Sequence, residues 1–118
     1  MKKIFLIIGI TLFITGCSAV KVKPNFDGKA TMYGIEYNGR KTASGEIYDI
    51  NKFTCAMKDV EFGKKVRVEN VANGKHVYVV VNDRGPKQDG WIVTLSEAAF
   101  NKIADKEKYI EVKVEIVE

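Results

Sequence analysis

The part of this chain best placed to do chemistry is a carboxylate at a turn. His76 to Val81 is an apolar-rich run that reads as a strand, and Asn82-Asp83-Arg84-Gly85-Pro86 follows it directly. Gly-Pro makes the bend, so Asp83 is delivered at a strand end, where rigid scaffolds tend to present reactive groups. A carboxyl group there can transfer protons. Asp is also common at the start of ordinary turns, which leaves a purely structural alternative open. The other candidate chemistry is thin. His76 is the single histidine, and Cys55 would need it as a base to act as a nucleophile. Cys55 otherwise reads as a small buried apolar residue. One His and one free Cys make no ligand cluster, so no metal site is expected.

Could His76 assist Asp83? On an extended strand the two are seven residues apart, which spans about 23 Å and sets them on opposite faces. By that parity Val77, Val79 and Val81 share the face of Asp83, and His76 belongs on the surface.

The first residues read as an export signal. Lys2 and Lys3 precede an almost unbroken apolar run, Ile4 to Ile14, and Thr15-Gly16-Cys17 follows. The run is short for a membrane span and suits a signal-peptide core. Ile14-Thr15-Gly16-Cys17 resembles a bacterial lipobox, which makes Cys17 the expected lipidation site and new N-terminus. Acyl chains contribute about 0.8 kcal/mol per buried methylene, so more than one anchors stably. The expected location is a membrane surface facing the periplasm or wall, and Ser18 is compatible with an outer membrane where one exists. Removing residues 1–16 takes away two of the 19 basic residues and leaves 17 against 15 acidic, a charge of about +2. That is too small to argue for nucleic acid. With Cys17 used, Cys55 has no partner for a disulfide.

Residues 17–26 form a lipidated N-terminus and tether, and Asp27 to Glu118 a single small domain. Lys29 to Tyr33 is a candidate strand, followed by a Gly-rich polar stretch from Gly34 to Gly45. Lys65 to Val71 alternates, with Val66 and Val68 opposite Arg67 and Glu69. Asn73-Gly74 between two apolar runs is a hairpin signal. Trp91 to Leu95 is β-rich, and Ser96 caps a short helix through Ile103 with Glu97 in its first turn. At the end, Ile110, Val112, Val114 and Ile116 alternate with Glu111, Lys113 and Glu115. Short strands, tight turns and one helix predict a mainly β domain, a compact barrel or sandwich; closing a barrel removes exposed edges.

Several collinear blocks resemble the RlpA-like family of septal lytic transglycosylases. They are Gly28 to Gly34; Asn38 to Glu46 with Tyr48-Asp49; Phe62-Gly63 leading into Val66 to Asn70 and Asn73 to Lys75; Val81 to Pro86; and Leu95-Ser96 with Ala98-Ala99. The resemblance implies a six-stranded double-psi β-barrel with one short helix. It implies a lipoprotein that cuts peptidoglycan glycan strands, favouring peptide-poor ones, and leaves 1,6-anhydro ends. Such cleavage needs one acid that becomes a base, because the sugar's own hydroxyl attacks; hydrolysis needs paired carboxylates. Asp83 occupies the family's catalytic aspartate position, and Glu46 a neighbouring acidic position in the same groove. No cofactor is implied, and the partners are glycan strands and a membrane reached through Cys17; the protein is expected to be a monomer.

The chain departs from the family pattern at three positions. Met57 stands where active members usually carry histidine, Thr94 where Asp is usual, and Trp91 where Arg is common. A thioether neither transfers protons nor donates hydrogen bonds. A wall-binding module without turnover, built on the same barrel as expansin-like proteins, is therefore the alternative. Tyr33, Tyr48 and Trp91 either stack on sugar rings or fill the core and its margin. Arg84 either orients a substrate or pairs with Asp49 or Glu46.

Overall fold

The structure, a computed structural model, describes residues 25–117. The leader and Cys17 lie outside the described residues. Six strands close into a barrel: β1 (Asn25–Met32), β2 (Thr54–Ala56), β3 (Lys65–Asn70), β4 (His76–Asp83), β5 (Trp91–Leu95) and β6 (Tyr109–Ile116), with helix α1 (Glu97–Ile103) between the last two. Around the barrel the order is β1-β5-β2-β4-β3-β6. This is the closed, mainly β architecture with one short helix that the sequence predicts.

Alternation builds it. Val66, Val68, Val77, Val79, Val81, Val93, Val112 and Val114 all point inward and are at most 4% exposed. β-branched side chains of this size pack well on a pleated surface, and removing each from water stabilises the fold by roughly 1.5–3 kcal/mol. The β3–β4 hairpin turns at Asn73-Gly74, where Gly74 has φ +76°, a left-handed conformation that costs glycine little. Buried Asn70 locks that hairpin to α1 by donating from Nδ2 to the Ile103 carbonyl at 2.8 Å. At the other end of α1, the Ser96 side chain accepts from the Ala99 amide and donates to the Lys52 carbonyl. That is the expected N-cap.

Three local differences from the sequence reading have physical causes. β1 begins at Asn25, two residues inside the expected tether, because Asn25 and Phe26 pair with Glu115 and Val114 of β6. β2 was not anticipated: three residues are too few to show alternation, and only its neighbours β4 and β5 define it. The third difference lies in the parallel pairing of β2 with β4. Cys55 pairs with Val81 but Ala56 pairs with Asp83, so Asn82 is an extra residue in β4. This bulge breaks the period of two. Val81 points into the core, whereas Asn82 and Asp83 both send their side chains to the loop covering that end of the barrel. The expectation that Asp83 shares a face with Val77, Val79 and Val81 is therefore corrected.

Candidate active site

Asp83 ends β4, half-buried, at the rim of an open hollow of about 270 Å³. Three donors hold its carboxylate. The Tyr33 hydroxyl donates to Oδ2 at 2.7 Å, and the backbone amides of Ala43 and Arg84 each donate to Oδ1 at 2.9 Å. A carboxylate offers about four lone-pair directions, so one on Oδ2 stays free for a ligand. The turn behind it is tight. A Cβ on Gly85 would come within 2.7 Å of the Ala56 carbonyl oxygen, so only glycine lets this backbone lie against β2.

Tyr33 sits just beyond β1, where its amide donates to the Leu95 carbonyl. It is buried, and its ring stacks on Tyr48 with centroids 4.3 Å apart. Burial, then the hydrogen bond and charge of Asp83, push the Tyr33 phenol well above its ordinary value. It therefore stays protonated and remains a donor. Tyr48 is 2% exposed, and its hydroxyl accepts from the Glu97 amide at the start of α1. It is a supporting residue in the second, smaller core with Tyr33 and Ala56, out of reach of a sugar.

The remaining sequence candidates scatter around the barrel. Glu46 is exposed and accepts from Asn82 Nδ2 at 3.1 Å, but it lines an adjoining hollow with Asp49 and Lys52. The segment of residues 42–46 is tied to the end of β4, where the Ala43 amide donates to Asp83 and the Ser44 amide to the Asn82 carbonyl. Arg84 pairs with neither Asp49 nor Glu46. Its guanidinium donates to the Met57 carbonyl at 3.0 Å and lies 3.9 Å over the Phe62 ring. Trp91 lies outside the Asp83 hollow, packed edge-on against Tyr109 with the Lys29 ammonium 5.3 Å from its ring.

Thr94 and Met57 also lie apart. Thr94 does line the Asp83 hollow. Met57 is 1% exposed and packs in the barrel core, with its amide donating to the Asp83 carbonyl oxygen. His76 stands at the far end of β4, edge-on to Tyr78. Buried Cys55 has its thiol pushed up by desolvation, which makes it inert.

Sequence reasoning missed Tyr37. It is 44% exposed, lines the Asp83 hollow, and meets the Tyr33 ring edge-on at 5.8 Å. An aromatic inside a Gly-rich polar loop was the available signal, since nothing local buries it.

Residues 25–116 match the family described as lytic transglycolase, and residues 1–18 match a prokaryotic membrane lipoprotein lipid attachment site. Among curated relatives, the chain is 49% identical over 76 residues to an endolytic peptidoglycan transglycosylase RlpA of Neisseria meningitidis, covering 64% of this chain and 32% of that one. It is equally similar to the RlpA of Vibrio cholerae, at 49% over 76 residues, covering 64% and 29%. A probable RlpA of Synechocystis matches at 40% over 86 residues, covering 73% and 27%. The chain thus spans about a third or less of these relatives' length. The Streptomyces papain inhibitor superposes with a TM-score of 0.66 at 24% identity, covering 80% of this chain and 96% of that one. A Clavibacter michiganensis expansin in complex with cellohexaose gives 0.64 at 21%, covering 80% and 51%. Those two likenesses concern the double-psi barrel fold alone. With the whole described barrel inside the matched span and the Asp83 turn at its rim, the chain belongs to the lytic transglycolase family.

Proposed function

We propose that the protein is an envelope-anchored endolytic transglycosylase that cuts peptide-poor peptidoglycan strands and leaves 1,6-anhydro ends. The observation that carries this reading is Asp83, fixed at the rim of an open hollow with one acceptor direction of Oδ2 unoccupied. Protonated Asp83 gives its proton to the glycosidic oxygen as the bond to the anomeric carbon breaks. The resulting carboxylate takes the proton of the sugar's C6 hydroxyl, whose oxygen closes onto the same carbon. One group serves both steps, and no activated water is consumed.

Tyr33 holds Asp83 in place, and Glu46 assists from the side by fixing Asn82. Tyr37 and the stem of Arg84 offer surfaces to the sugar in the hollow, and Trp91 with Tyr109 offers an outer one. Cys17 carries the acyl chains that tether the barrel to its membrane, outer if the cell has one, and the barrel acts as a monomer.

Mass spectrometry of peptide-free glycan incubated with the full chain tests the reading. Anhydro-ended fragments are expected from the wild type and none from Asp83→Asn. Their absence with folded wild-type protein sinks it.

Thr94 in the hollow and the core-facing Met57 favour one second reading, a wall-binding module without turnover. It would sediment with insoluble peptidoglycan, equally well as Asp83→Asn, and release nothing.

A further inference from the structure

β4 is eight residues long and β2, its neighbour on one side, only three. The closed barrel therefore leaves part of β4 without a neighbour. The Val81 amide donates to the Lys64 carbonyl beside β3, and the Val80 amide to the Phe53 carbonyl just before β2. Backbone groups alternate in direction along a strand, so those of His76 and Tyr78 point as Val80 does, away from β3. β2 begins only opposite Val80. Among the described residues no strand runs beside His76 and Tyr78 on that side, so their amides and carbonyls lie along an open edge. Such edges template pairing with another chain, and proteins usually guard them with a lysine, a proline or a bulge. Residues 76–79 carry none of these, since the bulge of β4 is at Asn82.

A hollow of about 320 Å³ follows this edge, lined by Phe53, His76, Val77, Tyr78 and Lys102. Phe53 and Tyr78 are 43% and 48% exposed, and exposed aromatics gathered in one place mark a contact surface. Lys102, in the last turn of α1, holds its ammonium 5.6 Å from the Phe53 ring. No carboxylate lines the hollow, and among the described residues Lys102 forms no ion pair. Glu69, opposite His76 on β3, is engaged by Arg67 at 2.8 Å. An apolar wall beside an unpaired cation matches a ligand that is apolar and acidic. The chain's own tether does not fit that description, because residues 18–24 carry Lys21 and Lys23 and no acid.

We propose that the open edge of β4 docks an extended segment of a partner protein in which apolar and acidic residues alternate. The segment adds as a strand along residues 76–78, lays an apolar side chain against Phe53 and Tyr78, and gives a carboxylate to Lys102. Tyr78 and Asp83 are separated by roughly 16 Å of strand, so docking leaves the Asp83 hollow open. The proposal stands independently of glycan cleavage.

The test titrates the isotopically labelled full chain with a capped peptide of alternating valine and glutamate, read by amide NMR shifts and by anisotropy of the fluorescent peptide. Binding at about 10–100 µM is expected, with shifts centred on the His76 and Tyr78 amides. Lys102→Glu should weaken it about tenfold with the melting temperature unchanged. Methylating the peptide's backbone nitrogens should abolish it, because strand addition uses those donors. No binding below about 1 mM overturns the proposal. So does equal binding by the methylated peptide, or by Lys102→Glu. Self-association of the chain that shifts the same amides also overturns it, by making a second copy the occupant. Shifts there from a tetramer of N-acetylglucosamine, and none from the peptide, overturn it in favour of sugar.

Discussion

The Tyr33 hydroxyl donates to Asp83 Oδ2 at 2.7 Å across fifty residues of sequence, joining the end of β1 to the end of β4. The bond is short and charge-assisted, and the tyrosine is immobilised by its stack on Tyr48. Hydrogen bonds to charged groups contribute about 1.5–3 kcal/mol. Tyr33→Phe keeps the stack and removes the bond. Anhydro-product formation should fall about tenfold or more in kcat with KM nearly unchanged, because the phenylalanine alters the carboxyl group and not the sugar-contacting surface. An equal rise in KM would show Tyr33 to be a substrate contact.

The same contact sets an alkaline limit on stability. Burial raises Tyr33 and Tyr48 above their ordinary value, with Asp83 adding to the rise at Tyr33. Unfolded, both titrate near their usual pKa of about 10. Above that pH the folded state binds more protons than the unfolded state, so stability falls as pH rises. Below it both states are protonated and the contribution is fully present. Melting temperatures recorded from pH 8 to 11 should therefore hold steady and then drop, with a shallower drop in Tyr33→Phe.

Gly85 is held by close approach of the backbone at the turn. An added methyl would meet the Ala56 carbonyl oxygen at 2.7 Å and the Met57 Cα at 3.0 Å. Both neighbours are backbone atoms of β2 or just past it, so neither can rotate away. Gly85→Ala is expected to cost about 1–3 kcal/mol of stability and to displace the Asp83 turn. Chemical denaturation would measure the first effect and product release the second, which should exceed the loss in Tyr33→Phe.

Placing a histidine at position 57 should fail to add activity in this chain. Met57 is 1% exposed and packed among core residues, so Met57→His would bury a ring without a partner. A stability loss of about 2–4 kcal/mol is expected, with no gain in glycan cleavage. A gain in cleavage would show that this position swings toward the hollow.

Much of this protein follows from local order in its sequence. Alternation of apolar and charged residues defines β3 and β6, and an apolar run defines β4; Asn73-Gly74 defines the hairpin; Ser96 caps α1. Each is an interaction between residues a few positions apart, which periodicity and turn chemistry expose. Asp83 was legible for the same reason, as a carboxylate at a strand end. Tertiary structure alone decided which way Asp83 points, because a bulge at Asn82 is set by pairing with β2, a strand too short to announce itself. It also turned Tyr48 into a support, Arg84 toward the Met57 carbonyl and Trp91 out of the hollow. Those outcomes depend on partners tens of residues away, and strand parity, the one long-range rule available in a sequence, is reversed by a single extra residue.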